Sequence, residues 1–473
     1  MGADVGTTSA KCLAVNEDGI IITFTQHPYT LSHPKQGWAE QDPEDFRIAL
    51  SDVVRRCMEE CKSKGYSSSD VKSLAMSTQG DTLIVTDDSG KPLAPSMSWM
   101  DARADVEFRE LLAETGPSFW YQETGQPMNP LSSACKMRWL SKNKPELRGA
   151  RYAWVADFLA KRLCGEFTAD MPSGSWTSIF SPSKREWSKN VLKVLGLSVE
   201  GLPKTVDSGE IIGELLPDAC AEMGLALGTK LIAGAFDQSA AAYGSGATAS
   251  GRSVLSCGTA WVLYSVSSQP IYDASEHLCS CCHTGKAEWG LVLPFTGGSA
   301  YDWLTRTIGD ALTGSPSDSE PLIFVPHLYG GLSPDWRGES KGSLLGLTMA
   351  HTREDIRLAL MRGVACETRR NMEAGEPYCG RSESVIMVGG AGKSKSWPQM
   401  IADVLNISVE VSGLLESACF GAAKLAAGDA SSPWPSTNAV RIYEPTKTGA
   451  ETENRFYERY LRAYKALLEL YKD

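Results

Sequence analysis

The sequence predicts a mixed α/β fold of two similar domains, and three observations carry that prediction. The chain has 473 residues, too many for one hydrophobic core and about right for two large domains. Strands joined in hairpins are followed by helices, the pattern of a mixed rather than a purely parallel sheet. The order strand, Gly-Thr, strand also occurs twice, at Asp4-Val5-Gly6-Thr7-Thr8-Ser9-Ala10-Lys11 and at Leu255-Ser256-Cys257-Gly258-Thr259-Ala260, as an internal duplication would leave it.

The elements follow in chain order. Cys12-Leu13-Ala14-Val15 and Ile20-Ile21-Ile22 flank Asp18-Gly19, an Asp-Gly turn between two strands. Asp42-Pro43-Glu44-Asp45 starts a helix that runs to about Lys64, with proline in the first turn and acidic groups at the positive end. A second hairpin is expected from Thr82-Leu83-Ile84-Val85 through the turn Asp88-Ser89-Gly90 toward Trp99. From Ala134 to Leu197 the pattern is largely helical, interrupted by Asp170-Met171-Pro172-Ser173-Gly174. Leu231 to Phe236 forms a strand that delivers Asp237. The Gly, Ser and Ala-rich stretch from Gly244 to Gly251 reads as a domain boundary. Strands are expected again at Val254–Ser256 and Ala260–Tyr264, and near the chain end Phe456, Tyr460, Tyr464, Leu467 and Tyr471 repeat at helical spacing, a packing stripe.

Composition narrows the function classes. Apolar residues make up 42% and charged residues 22%, the proportions of a globular chain. No apolar run reaches the ~18 residues that cross a bilayer, and the first residues have neither a basic nor an apolar signal region. Thirteen scattered cysteines fit a reduced cytoplasm better than a disulfide framework. A net charge of -11 argues against nucleic acid, whose phosphates need a basic face. It does not exclude a nucleotide, which a few backbone amides and a metal ion can hold.

Four motifs can carry chemistry. In Asp4-x-Gly6-Thr7-Thr8-Ser9 a carboxylate precedes a turn of small residues, whose amides and hydroxyls can donate to phosphate oxygens while Asp4 holds magnesium through water. An ordinary hairpin is the alternative. Gly258-Thr259 is a second such turn, which a tight β-turn also explains. Gly389-Gly390-Ala391-Gly392-Lys393-Ser394 resembles a P-loop, but Met387 stands where the first glycine is required. Its bare backbone suits adenine, ribose or phosphates, or simply a helix start. In Gly234-x-x-Asp237-Gln238 a carboxylate at a strand end can accept the proton of an attacking hydroxyl, or cap a helix. Cys279-Ser280-Cys281-Cys282-His283 lacks a second ligand pair at zinc spacing, and neither His-Glu-x-x-His nor Gly-x-Ser-x-Gly occurs.

Taken in order, these four motifs resemble the FGGY family of carbohydrate kinases, in the actin and hexokinase superfamily. The resemblance spans roughly residues 3 to 428. Ser133-x-x-Lys136-Met137-x-Trp139-Leu140 is similar to that family's first signature, and Gly342-x-Leu344-x-Gly346-Leu347 with Asp355-Ile356 to its second. The resemblance implies two RNase H-like, actin-like ATPase domains with an interdomain cleft. Their ranges are 1–243 for sugar binding and the first phosphate turn, 244–430 for nucleotide binding, and 431–473 as a helical tail. It implies Asp237 as catalytic base, Asp4 and Asp237 at magnesium, and Thr7, Thr8, Gly258 and Thr259 on the phosphates. Gly298, Gly389, Gly390 and Ser394 would lie along ATP, and Gln79, Asp81, Trp99, Asp101 and Gln238 on the sugar.

The implied activity is ATP-dependent phosphorylation of a small sugar or polyol, a pentulose or short polyol being favoured. Gluconate or a signalling molecule is the alternative substrate, and a conformational switch that binds ATP without kinase activity is the alternative class. Neither nucleic acid nor membrane is an expected partner, and a homodimer is left open. The sequence departs from the xylulokinase pattern Gln-Met-His-Gly, having Gln79-Gly80-Asp81-Thr82 instead. Asp81 is expected to face the acceptor and to favour neutral substrates over acids.

Overall fold

A computed structural model describes residues 1–309, 315–414, 416–428, 434 and 439–471. The chain divides into two compact units: unit 1 is Met1–Gly244, Ser268–Gly290 and Glu416–Ser436, and unit 2 is Ser245–Ser267, Leu291–Leu415 and Thr437–Asp473. The division expected at residues 430 and 431 lies outside the described residues.

Unit 1 is built on a six-stranded sheet. Its strands are β1 (Gly2–Val5), β2 (Ser9–Val15), β3 (Ile21–Pro28), β4 (Ser73–Thr78), β5 (Ile211–Glu214) and β6 (Lys230–Phe236), in the order β5-β6-β4-β1-β2-β3. β1, β2 and β3 form the antiparallel meander expected around Asp18-Gly19, whereas β1, β4 and β6 run parallel. Helix α1 (Pro43–Ser63) starts where the sequence placed it, with the Asp42 side chain accepting from the Glu44 amide. Its apolar face, Phe46, Ala49, Val53 and Cys57, shares one core with Ala3 and Val5 of β1.

Three further helices shape this unit: α2 (Ser133–Asn143), α3 (Asp237–Ser245) and α4 (Ser417–Ala426). Alternate residues of a strand face opposite sides, so Gly2 and Asp4 lie away from Ala3, Val5 and α1. That second face is covered by α4. A Cβ on Gly2 would stand 2.2 Å from the Ala423 amide nitrogen, and one on Gly421 would stand 1.9 Å from the Ala240 carbonyl of α3. The Ser-Ala-Cys-Phe-Gly-Ala-Ala composition of α4 is what permits backbones to approach so closely on two sides.

Two sequence expectations differ from the structure. The hairpin expected before Trp99 forms only irregularly, through isolated antiparallel bridges of Leu83 with Met97 and of Thr86 with Pro92, while Ile84–Thr86 makes its regular ladder with Arg151–Ala153. The local turn still forms, with the Asp87 amide donating to the Lys91 carbonyl at 3.0 Å, but long-range pairing wins the strand. The stretch from 134 to 197 is interrupted by short strands at Arg151–Ala153, Thr168–Asp170, Phe180–Ser181 and Glu186–Trp187. Met171–Ser175, expected as a break, is a short helix capped by Asp170.

Unit 2 repeats the arrangement. Its sheet contains β7 (Ser253–Cys257), β8 (Ala260–Ser267), β9 (Ser384–Gly389), β10 (Ser408–Ser412) and β11 (Ala439–Tyr443), in the run β8-β7-β9-β10-β11. The pairings are antiparallel, parallel, parallel and antiparallel. The run β2-β1-β4-β6-β5 of unit 1 has the same sequence of pairings. The Gly-Thr echo is therefore a duplication of topology. The helix Lys447–Leu470 buries Phe456, Tyr460, Tyr464 and Leu467 against Ile323, Val325 and Cys366, so the aromatic stripe is packing.

The contact between α3 and α4 generates one prediction. Alanine in place of a mid-helix glycine ordinarily gains about 1 kcal/mol, but at Gly421 it would push a methyl group into backbone. Overpacking of this kind costs about 1–3 kcal/mol. Gly421→Ala is expected to lower the midpoint of thermal unfolding, and an unchanged or raised midpoint would show that α4 is not seated this tightly.

Candidate active site

Parallel pairing brings the sequence candidates of unit 1 to one sheet edge. Val5 and Phe236 both register with Thr78, so β1, β4 and β6 end level. They lead into Gly6-Thr7-Thr8, Gln79-Gly80-Asp81 and Asp237-Gln238. The glycine of Gly234-x-x-Asp237 has a structural reason, because the β6 register shifts between Ile232 and Ala235 and a Cβ on Gly234 would stand 1.6 Å from the Met76 carbonyl. A bulge of this kind re-aims the residues that follow it. Asp237 then opens α3.

The electrostatics of this edge centre on two carboxylates. Asp237 Oδ1 is buried without a hydrogen-bond partner. Burial pushes the Asp237 carboxyl up to about 7, the negative charge of Asp4 adds to the rise, and the Gln238 amide opposes it. Asp4 Oδ1 accepts from Ser77 Oγ at 3.0 Å, and burial pushes Asp4 up to about 6 while Lys11 opposes. Lys11 is itself paired with Glu416 at 2.7 Å. Two carboxyls with raised proton affinity, one of them raised in part by the charge of the other, suit a divalent cation, whose charge would relieve both.

The first Gly-Thr turn is held from several sides. The Gly6 amide donates to the Ser9 carbonyl at 3.1 Å, and the Tyr29 hydroxyl donates to the Gly6 carbonyl. Thr7 Oγ1 accepts from Trp99 Nε1 at 2.9 Å, and Trp99 keeps 40% of its surface exposed. Thr8 is exposed. Gln41 connects two candidate segments: its Nε2 donates to the Thr7 carbonyl at 2.9 Å, and its Oε1 accepts from Gln79 Nε2 at 3.3 Å. Gln79 Oε1 is left buried and unpartnered. Gln238 is half-buried.

Two acidic candidates have their carboxylates engaged within the fold. Asp81 adopts a positive φ of 63°. Its Oδ2 accepts from the Ser133 amide at 2.9 Å and its Oδ1 from the Ser133 hydroxyl, while Lys136 Nζ donates to its carbonyl at 3.0 Å. A carboxylate at the first turn of α2 is stabilised by the helix amides. Asp81 therefore turns toward α2 rather than outward as expected from the sequence. Asp101, fully buried, accepts from the Ala39 amide at 2.7 Å and from Arg103 Nε at 2.8 Å. The Arg103 guanidinium also reaches Glu40 at 2.6 Å and lies 3.5 Å from the centre of the Trp38 ring.

Within unit 2 the candidates also converge. Gly258 and Thr259 form the exposed turn between β7 and β8. Gly298 begins a helix so close to it that a Cβ would stand 2.2 Å from the Gly258 carbonyl, and the Ser299 amide donates to the Thr259 carbonyl at 2.8 Å. Gly389 ends β9 opposite Cys257, with φ 101°. At Gly390 a Cβ would meet nothing within 4 Å, so its backbone is bare on an open side. Ser394 Oγ accepts from the Trp397 amide at 3.2 Å and so supports the start of the helix Trp397–Leu405.

Sequence reasoning missed Gln41, Ser77 and Tyr29. Each is an isolated polar residue with no motif around it, and each matters only through a partner brought by the sheet.

Comparison with known proteins agrees with this architecture. The N-terminal domain model of the FGGY family of carbohydrate kinases matches residues 1–244, and its C-terminal domain model matches residues 254–430. The chain is 29% identical over 415 residues to a xylulose kinase of Escherichia coli, covering 85% of this chain and 84% of that one. It is 26% identical over 449 residues to a gluconokinase of Bacillus subtilis, covering 89% and 86%. The crystal structure of a xylulose kinase from Rhodospirillum rubrum superposes with a TM-score of 0.92 at 23% identity, over 100% of this chain and 99% of that chain, a likeness of fold. With both halves matched and the same two-sheet architecture, the chain belongs to the FGGY family of carbohydrate kinases.

Proposed function

We propose that this sugar kinase transfers the γ-phosphoryl group of ATP to a hydroxyl of a neutral pentulose or short polyol, with Asp237 as the general base. The observation that carries the reading is the Asp237 carboxylate, buried with Oδ1 unpartnered at the strand edge that also holds Asp4, Thr7 and Gln79. An unsatisfied buried carboxylate costs about 1–3 kcal/mol or more, and a fold retains one where a substrate supplies the missing donor. An acceptor hydroxyl does so, and it passes its proton to Asp237 as its oxygen bonds to phosphorus and the bond to ADP breaks.

ATP supplies the phosphoryl group, and Mg2+ offsets the charge on its phosphates. The paired carboxylates of Asp4 and Asp237 fit that ion by charge and by oxygen chemistry. Thr7, Thr8, Gly258 and Thr259 are assigned to the phosphates. Gly298, Gly389 and Gly390 are assigned to the nucleotide, Gly390 having its backbone bare on an open side, and Ser394 orders the helix beside them. Gln79, Gln238 and the exposed Trp99 ring are assigned to the acceptor. Asp81 and Asp101 act through the segments they hold.

Preference for a neutral acceptor over a sugar acid rests on the surrounding charge. Lys11 is paired with Glu416, Arg103 with Asp101 and Glu40, and Lys136 with the Asp81 carbonyl, which leaves the two carboxylates to face an incoming acid. The thirteen cysteines are free thiols, which supports a reducing compartment such as the cytoplasm. Among the described residues no helix is long and apolar enough to cross a membrane. ADP release measured over xylulose, ribulose, erythritol, glycerol and gluconate tests the reading, and a preference for gluconate would overturn the neutral-acceptor assignment.

Asp237→Asn is expected to lower turnover about 10²- to 10⁴-fold while the KM for ATP stays within a few-fold. The same variant should melt higher than wild type at pH 8 in chelator without nucleotide. The folded-state carboxyl titrates above its ordinary 3.8, near 7. Its destabilisation is therefore absent below about pH 4, grows as pH rises to about 7 and is constant beyond. The stability difference should accordingly shrink when both proteins are melted at pH 5. Turnover within a few-fold of wild type would remove Asp237 from the base role.

Asp81→Ala should lower the melting temperature through loss of the α2 cap, worth about 0.5–2 kcal/mol, while the ranking of acceptors is preserved. Unchanged stability with a loss confined to neutral acceptors would instead return Asp81 to direct recognition.

A further inference from the structure

The residue before the proposed base is unusually large for a crowded strand edge. Phe236 is buried, and its ring lies over residue 80: a Cβ on Gly80 would stand 2.4 Å from Phe236 Cε2. A side chain at position 80 would require this ring to move. The ring thus lies against the residue that follows Gln79, whose Oε1 is buried and unpartnered. Against Phe236 packs Trp176, with ring centroids 4.9 Å apart and planes tilted by 37°. Trp176 remains partly exposed, yet its Nε1 is a buried donor without an acceptor.

These groups define a chemical complement. Asp237 Oδ1 and Gln79 Oε1 call for two donors, and Trp176 Nε1 calls for one acceptor oxygen. A polyhydroxylated chain provides all three, and its C–H face suits an aromatic surface that has a polar edge. A carboxylate would meet only one neutral donor beside two carboxylates. An acceptor with extra carbons would meet the Phe236 ring.

We propose that Phe236 and Trp176 form the acceptor-selecting wall of this site, seating the carbon face of a short neutral ketose or polyol while Trp176 Nε1 donates to one of its oxygens. The assignment deepens the kinase reading and rests on it.

The test measures ATP-dependent kcat/KM over erythritol, xylulose, ribulose, sorbitol, fructose and gluconate for wild type, Trp176→Phe, Phe236→Leu and Phe236→Ala. Thermal melts identify any variant that fails to fold. Trp176→Phe keeps an aromatic ring and removes the donor, so kcat/KM for the preferred acceptor should fall about tenfold, through the acceptor KM, with the KM for ATP unchanged within about threefold. Phe236→Ala opens the wall, so sorbitol and fructose should gain about tenfold or more relative to the shorter acceptors. Phe236→Leu should shift the ranking the same way by less, and it carries the test if the alanine variant does not fold. Rankings and acceptor KM values that match wild type within about threefold in Trp176→Phe and the folded Phe236 variants would overturn the wall. Absence of ADP release by wild type with every acceptor would overturn the kinase reading itself, and the wall with it, before any variant is compared.

Discussion

The feature on which unit 1 depends is the seating of α4 between β1 and α3. Gly2 and Gly421 remove the side chains that would otherwise hold the backbones apart. α4 thereby closes the face of β1 that carries Asp4, while its other side fixes α3, whose first residue is Asp237. Asp4 is buried on the face this helix covers, and Asp237 opens the helix that α4 packs against. Protein interiors yield little to added atoms, so the position of the two acids is set by backbone contact rather than by long, adjustable side chains. The helix comes from residues 417–426, far along the chain from the strands it covers.

Burying two carboxylates at one strand edge is electrostatically unfavourable, and the structure limits the effect without cancelling it. Ser77 supplies Asp4 with one hydrogen bond, the Gln238 amide acts on Asp237, and the Lys11 charge is shared with Glu416. What remains is a pair of groups with raised proton affinity, the state that a cation and a hydroxyl donor would relieve together. The contrast with Asp81 and Asp101 is instructive. Those carboxylates were expected on the acceptor, but each has its oxygens taken by protein donors. The four acids thus divide into two whose carboxylates hold loops and two, Asp4 and Asp237, that are less fully engaged by protein donors.

Much of this was legible in the chain itself. The Asp18-Gly19 turn, the helix from Pro43, the strand ending at Phe236 and the two Gly-Thr hairpins rest on turn chemistry, capping and apolar periodicity, which act over a few residues. The duplication was visible as two short Gly-Thr echoes because each marks the same corner of the same sheet topology. The ordered motifs were enough to indicate the family, since their order along the chain does not require knowing how they meet.

Tertiary structure alone decided the rest. Nothing local shows that residues 417–426 belong with strands at residues 2–5 and 73–78, because a helix of small residues records how close a neighbour comes and not which neighbour it is. Nothing local turns Asp81 toward Ser133, joins Gln41 to Thr7 and Gln79, or lays Phe236 over Gly80. Each of these pairs is separated by dozens to hundreds of residues, and long-range packing selects among partners that local propensity cannot distinguish. The sequence determined which residues are chemically able to act, and the packing determined which of their atoms are left free to do so.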